Sequence, residues 1–451
     1  VLGVDIVGSC TNVEFYACSL ATYASSDNSM YRVVNYANTS SSGNYLKDVR
    51  FIKNTLSGGY YSMYLYYAGS SNTDIANCLI TVDSNTMVNA YYYGIYSYYY
   101  AKYKSISYNT ITLRSTTDAQ YGIYTYYTTI DNGIIGNKIV TNTSNTNYGI
   151  RLYYINRYAA NGLALIANNE VLCNGGSNTV YGLYCYYNTA MIYHNSVSLY
   201  GTGDSYGLYI GTMSSTYQMI LKNNIFATYS TGTPYAIYAS TAANATQAEG
   251  TFLDYNNYYS AGSNVGYIGS AKSTLAALQT ATGQDQNSIN VNPNFVGIND
   301  LRLTSYTGFD CPRMQEVQRD KQNYLRSSIT NMGAYVGEPS DIDAQIVEFI
   351  GFSTAYANGS SFPISVVVRN AGFTPLSSAT ISGQINGVDI TPVAYTNSVP
   401  LQYGEADTVS IGSYVFTVGT NQIMVAVTMN ADTIQENDTI RDSRYMCANI
   451  M

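Results

Sequence analysis

The sequence predicts an all-β chain: a parallel β-helix over residues 1–340, an antiparallel β-sandwich over 341–441, and a tail over 442–451. Three observations carry this. Two unrelated short phrases recur with one shared period of about 29 residues, the mark of a solenoid. Both phrases alternate with the two-residue period of strands and are separated by Gly, Ser, Asn and Thr clusters that make turns. Near Asp341 both phrases stop and longer alternating runs replace them.

The first phrase is seven residues long and clearest at Tyr121-Gly-Ile-Tyr-Thr-Tyr-Tyr127, with further copies starting at Tyr31, Tyr61, Tyr93, Tyr148, Tyr181, Tyr206 and Tyr235. Its third place is aliphatic (Val33, Met63, Ile95, Ile123, Ile150, Leu183, Leu208, Ile237), so that place must face the interior. Strand alternation then turns the first place inward and sends the fourth and sixth outward. The fourth place holds Tyr64, Tyr96, Tyr124, Arg151, Tyr184, Tyr209 and Tyr238; the sixth holds Tyr36, Tyr66, Tyr98, Tyr126, Tyr153 and Tyr186. Two outward columns of stacked rings are expected, with Arg151 placed to stack on its neighbours.

The second phrase is Asn, any residue, then an apolar one. It begins at Asn54, Asn77, Asn109, Asn137, Asn169, Asn195, Asn223 and Asn256. An Asn recurring at a turn can pair its amide with the equivalents in the coils on either side, which satisfies polar groups that are costly to bury. Ser273–Gln279 reads as a short helix set into the last coils.

These Asn turns, with Asp254-Tyr-Asn-Asn-Tyr-Tyr259, Asn292-Pro-Asn-Phe295, Asp300-Leu-Arg-Leu303 and Asn331-Met-Gly-Ala-Tyr335, resemble the right-handed parallel β-helix repeat proteins secreted by Bacteroidota-type bacteria, over roughly residues 8 to 337. The resemblance implies an extracellular or cell-surface location. It implies no particular activity, because that fold hosts lyases, hydrolases, adhesins and structural proteins.

Ile364–Gly372 and Gly419–Val427 read as strands, and with Ile434-Gln-Glu-Asn-Asp438 they resemble the immunoglobulin-like modules of bacterial surface proteins. Three Asp-Thr-aliphatic triplets, centred on Thr408, Thr433 and Thr439, are similar to the O-glycosylation acceptor pattern of Bacteroidota. Arg441–Met446 departs from the sandwich pattern and reads as a linker or docking tail.

Only 11% of residues are charged, against about 25% in ordinary soluble domains. The polar surface must come from hydroxyls and amides, and 51 residues are Tyr. A net charge of −8 argues against nucleic acid, whose phosphates need clustered Lys and Arg. No apolar run is long enough to span a bilayer. Seven scattered cysteines make no metal-binding spacing and read as mostly buried thiols with at most one or two disulfides.

No catalytic residue, metal ligand or cofactor is assigned from sequence. Asp118 and Asp204 share a phase but lie three coils apart, too far for joint acid–base work. His194, the only imidazole, precedes Asn195 at a turn, where a structural role is expected.

The expected function is an extracellular structural protein, non-catalytic, that self-assembles into a filament or surface layer. Its partner is then itself, joined head to tail, because Val1–Val7 reads as a strand with no capping helix ahead of it. The alternatives are a polysaccharide-binding adhesin that uses the outward Tyr strip, and a polysaccharide lyase or hydrolase.

Overall fold

The computed structural model describes residues 1–451 apart from 1, 24–26, 40–42, 70–73, 158–161, 327–328, 338–341, 353–358, 360, 373, 433–434 and 447–451. The chain forms two compact units, 1–322 with 326–337, and 323–325 with 338–451.

The first unit is a parallel β-solenoid in which each coil supplies strands to three ladders. The tyrosine phrase forms one ladder, running from Leu2–Ile6 and Arg32–Ala37 through Tyr61–Tyr66, Asn147–Tyr153 and Val180–Tyr186 to Gly266–Ile268. A second ladder runs from Cys10–Tyr16 to Thr251–Asp254. The third contains nine strands, from Ser19–Ala21 to Asn257–Ser260. In two coils the first and second ladders are joined by one continuous bent strand, Tyr93–Ser107 and Gln120–Ile135.

Third-place residues Met63, Ile95, Ile123, Ile150, Leu183, Leu208 and Ile237 are fully enclosed, facing Val82, Ile106, Val171 and Val197 from the other ladders. Each such side chain contributes about 1.5–3 kcal/mol by leaving water, so interior burial is the main force holding the coils. Cys78, Cys173 and Cys185 are part of this interior, and burial pushes each thiol up to about 12. Six cysteines are free thiols; Cys447 lies outside the described residues.

At the corner between the second and third ladders, one residue adopts the left-handed region and a buried Asn follows. Lys53, Tyr108, His194 and Asn223 have φ of 56°, 52°, 53° and 62°. The amide ladder that follows runs Asn54, Asn85, Asn109, Asn137, Asn169, Asn195, Asn224 and Asn256; from Asn85 onward each Oδ1 receives the Nδ2 of the Asn in the preceding coil at 2.9 Å. Two of the expected positions are therefore corrected. Asn77 closes a short 3-10 turn, Asp74–Asn77, and Asn85 takes its place. Asn223 is the left-handed residue before the ladder, and Asn224 is the member.

The ladder stops where Asn256 N–H donates to Ser288 Oγ at 2.9 Å. Ser288 in turn donates to Asp285 Oδ1, 2.5 Å away, and Tyr258 donates to the same oxygen at 3.2 Å. Asp285 is 1% exposed, and burial raises its carboxyl to about 6.

The coils also end earlier than expected. After the helix Leu275–Thr282, the described residues of 292–337 add no coil; they form two small two-stranded antiparallel sheets that pack on the outside of the solenoid. Leu301 and Tyr335 cover Leu172, and Val317 covers Ala167 and Tyr193.

The second unit is antiparallel. Ala344–Ile350, Ser361–Asn370 and Ala406–Val415 make one sheet; Leu376–Ile385, Val388–Asp389, Val393–Leu401, Gly419–Thr428 and Thr439–Met446 make the other. Val366, Val368, Ile381 and Val425 belong to the core they share. The last strand pairs along its whole length with Gly419–Thr428, so residues 442–446 are sheet rather than tail.

Candidate functional site

The face presented by the first ladder is a sheet of tyrosine rings four columns wide. The expected fourth-place and sixth-place columns are present, and the first and seventh places add one column each.

The first place turns outward because the second place does not. Pairing runs Tyr93↔Tyr121 and then Ile95↔Ile123, stepping over the glycines between. Gly122 points inward: a Cβ there would lie 2.3 Å from Ile139 Cγ2 and 2.6 Å from the Gly149 carbonyl oxygen. At Gly122 only glycine fits so close to the third ladder, and the other coils keep the place small, with Ser62 and Ala236 in two of them. With places two and three both inward, strict alternation breaks and the first-place ring is left outside. Tyr61, Tyr93, Tyr121, Tyr148 and Tyr181 then stack at centroid separations of 4.9, 4.8, 4.6 and 4.5 Å, with planes within 13°.

Arg32, paired with first-place Tyr61, reaches across to cap the fourth-place column, its guanidinium carbon 3.6 Å from the Tyr64 centroid. Tyr64, Tyr96 and Tyr124 follow at 5.2 and 5.4 Å. Arg151 then stands where a ring would be, 5.0 Å from Tyr124 and 5.1 Å from Tyr184. Tyr184, Tyr209, Tyr238 and Tyr267 continue at 4.6, 5.2 and 4.8 Å.

The sixth-place column is Tyr66, Tyr98, Tyr126, Tyr153 and Tyr186, at 5.7, 4.6, 5.1 and 4.2 Å. Tyr36 is corrected out of it. The pairing Tyr36↔Leu65 puts this residue on the inward phase, 1% exposed, and Asn35 takes the outward place opposite Tyr64. Seventh-place residues Tyr67, Tyr99, Tyr127, Tyr154 and Tyr187 sit at the turn with φ between 49° and 61°, and stack at 4.9, 5.8, 4.4 and 5.2 Å. Tyr217 from a loop ends that column, 5.0 Å from Tyr187.

The sixth and seventh columns meet edge to face, whereas the fourth and sixth meet with near-parallel rings, Tyr96 and Tyr98 within 1°. Tyr98 and Tyr99 cross at 82°, Tyr126 and Tyr127 at 76°, Tyr186 and Tyr187 at 87°. Stacked and T-shaped contacts of this kind contribute about 0.5–1.5 kcal/mol per pair beyond burial. Packing so tight has two consequences. The ring faces are occupied by other rings, so ring edges and hydroxyls are what the surface offers. Burial also keeps the phenols neutral: Tyr61, Tyr92, Tyr154 and Tyr184 are each raised to about 12, with neighbouring tyrosines adding to the effect.

The remaining sequence candidates lie elsewhere. Asp118 is exposed at a corner, where it accepts a hydrogen bond from the Tyr91 hydroxyl, and Asp204 is exposed on its own turn. His194 is fully buried under the 292–337 segment, its Nε2 3.0 Å from Asn223 Nδ2. Burial first, and Arg326 second, hold its imidazole well below the ordinary histidine value. Arg326, also fully buried, donates to Asn168 Oδ1 at 2.8 Å and to the Gly333 carbonyl at 2.9 Å. Beside it, Glu170 accepts from the Tyr335 hydroxyl at 2.7 Å and from Leu301 N–H at 3.1 Å. These groups fasten the outer segment to the coils. Thr408 is exposed on its strand, Thr439 is half-buried, and Thr433 lies outside the described residues.

No family model and no curated protein matches the chain. Among solved structures, the CARDB domain of a Pyrococcus furiosus protein, crystallised in complex with di-metal ions, matches at 16% identity and a TM-score of 0.21, covering 24% of this chain and 93% of that one. The solution structure of the same domain matches at 20% identity and a TM-score of 0.20, covering 25% and 100%. Values this low add nothing to the antiparallel architecture read from the strands themselves.

Proposed function

We propose that this chain is a non-catalytic extracellular structural protein whose solenoid associates with further copies of itself through the tyrosine sheet, building a filament or layer. The observation that carries the reading is the four-column face with its ring faces already filled. Sugar rings bind aromatic residues by stacking on open faces, and here neighbouring tyrosines occupy them. What remains is a set of parallel rows of hydroxyls and ring edges repeating with the coil spacing of about 4.8 Å. A second copy carries the same repeat, so the rows of two such faces match without adjustment.

Size supports the same partner. Seven residues across and seven coils along give roughly 20 by 30 Å, on the order of 600 Å². That exceeds the patches monomers usually leave open and approaches one partner's share of a standard interface.

Sedimentation velocity and electron microscopy at low micromolar concentration test the proposal, comparing the natural chain with Tyr98→Lys/Tyr126→Lys. The natural chain should form regular assemblies, and the double variant should sediment as single copies with unchanged circular dichroism. Single copies for the natural chain would overturn the reading. Retention on an insoluble polysaccharide would then put the adhesin reading in its place.

A further inference from the structure

The second unit gathers three acids that are distant in sequence. Asp343, Asp432 and Asp438 each bring one carboxylate oxygen within 4.8 Å of the other two. Their backbone is fixed on several sides. The Asp343 carbonyl accepts from Ala371 and Gly372 N–H at 2.9 and 3.1 Å, and the Asp438 carbonyl accepts from Val427 N–H at 3.0 Å. Asp432 Oδ2 accepts from Ala344 N–H at 2.8 Å. Asp343 is only 4% exposed.

A second, independent feature lies against the same acids. Asn437 is also 4% exposed; its Nδ2 donates to Asp343 Oδ1 at 2.8 Å, while its own Oδ1 is buried with no hydrogen-bond partner. An orphaned buried amide oxygen costs roughly 1–3 kcal/mol. Three carboxylates held this close repel one another as well. One cation relieves the repulsion and gives the amide oxygen a partner. Turning the Asn437 amide over puts its oxygen where its nitrogen now touches Asp343, as a fourth oxygen beside the three carboxylates.

We infer that Asp343, Asp432, Asp438 and Asn437 form a binding site for a calcium-class divalent cation within the C-terminal unit. The ligand set is oxygen only and rich in carboxylate, which suits hard cations. Calcium accepts six to eight such ligands at 2.3–2.6 Å and irregular geometry, whereas magnesium demands a near-ideal octahedron. Asp432 and Asp438 are also the acids of two of the Asp-Thr-Ile triplets, so ion binding gives those acids a use that needs no sugar.

Calorimetry of the chelator-treated full chain against calcium chloride and magnesium chloride tests the site, with thermal unfolding in parallel. One calcium per chain should bind, with Kd between about 1 μM and 1 mM, more tightly than magnesium, and it should raise the melting temperature. Asp432→Asn/Asp438→Asn should weaken calcium at least tenfold, whereas Asn437→Asp, which adds a charged ligand, should strengthen it. No heat and no thermal shift up to about ten times the upper end of that range would overturn the inference. So would a folded double variant that binds as the natural chain does. Should the double variant misfold, the Asn437→Asp arm decides: equal or weaker calcium affinity overturns the site.

Discussion

Asn137 Oδ1 receives two N–H groups from Asn109, the main-chain N–H at 3.0 Å and the side-chain Nδ2 at 2.9 Å. The same pair of hydrogen bonds joins each ladder Asn to the next, so every interior amide ties its own coil to the coils on both sides.

Asn137→Ala removes that acceptor and strands two buried donors of Asn109. At about 1–3 kcal/mol per unsatisfied group, a loss of roughly 3 kcal/mol is expected in urea unfolding. Asn77→Ala, in the exposed 3-10 turn, should stay within about 0.5 kcal/mol. Equal midpoints for the two variants would refute the assignment of ladder members.

Arg151 interrupts a column of rings between Tyr124 and Tyr184. Arg151→Tyr should therefore be close to neutral, because a ring in that place completes the stack. Arg151→Ala leaves a gap on both sides and should cost on the order of 1–2 kcal/mol. Differential scanning calorimetry of the two variants separates them, and a less stable Tyr variant would contradict the column geometry.

Alkali should act on the tyrosine sheet as a whole. Tyr61, Tyr92, Tyr154 and Tyr184 ionise near 12 in the folded chain, against about 10 when unfolded. A raised phenol pKa means that the unfolded chain releases its protons first, so their contribution is complete below pH 10 and is lost as pH rises towards 12. Absorbance at the phenolate band should rise together with loss of the β-sheet signal. Full ionisation at pH 10 with the fold intact would show that the rings are wet.

Asp285 carries the opposite problem at neutral pH, a charge in a buried site. Its folded carboxyl sits at about 6, raised from an unfolded value near 4, so its contribution is complete below about pH 4 and declines as pH rises through 6. Asp285→Asn keeps an acceptor for Ser288 and Tyr258 and removes the charge. At pH 7 it should stabilise the solenoid by up to roughly 3 kcal/mol, and the gain should vanish at pH 4. Chemical unfolding at both pH values tests this, and a variant destabilised at pH 7 would mean that the charge is needed.

The solenoid was legible because two phrases shared one period, and third-place residues such as Ile123 and Leu183 marked the interior without ambiguity. The failures fall where adjacent residues are alike. Val33 and Val34 are both fully buried, so alternation could be counted from either, and the wrong choice turned Tyr36 outward. Asn223 and Asn224 stand side by side; the apolar rule chose the first because Ile225 follows at the right distance, whereas the interior residue is Phe226. The first-place column was missed because Gly122 and its equivalents let two successive residues face inward. The end of the coils near residue 291 was hidden for another reason. Leu301, Val317 and Tyr335 are as apolar as coil residues, but they cover the outside of the solenoid.

Because each ladder amide bonds only to the coils directly beside it, the amide ladder does not itself fix how many coils there are. Duplicating or deleting one whole repeat ahead of Asn137 leaves the ladder amides with equivalent neighbours, whereas the coils from Lys138 to Asn223 are tied individually to the outer segment. Length can therefore change in single steps of one coil within that stretch. The cap at Asp285 and Ser288 and the outer segment from residue 292 are the parts that such changes must spare. On this architecture, reach is an adjustable trait, and related chains should differ first in how many times they repeat.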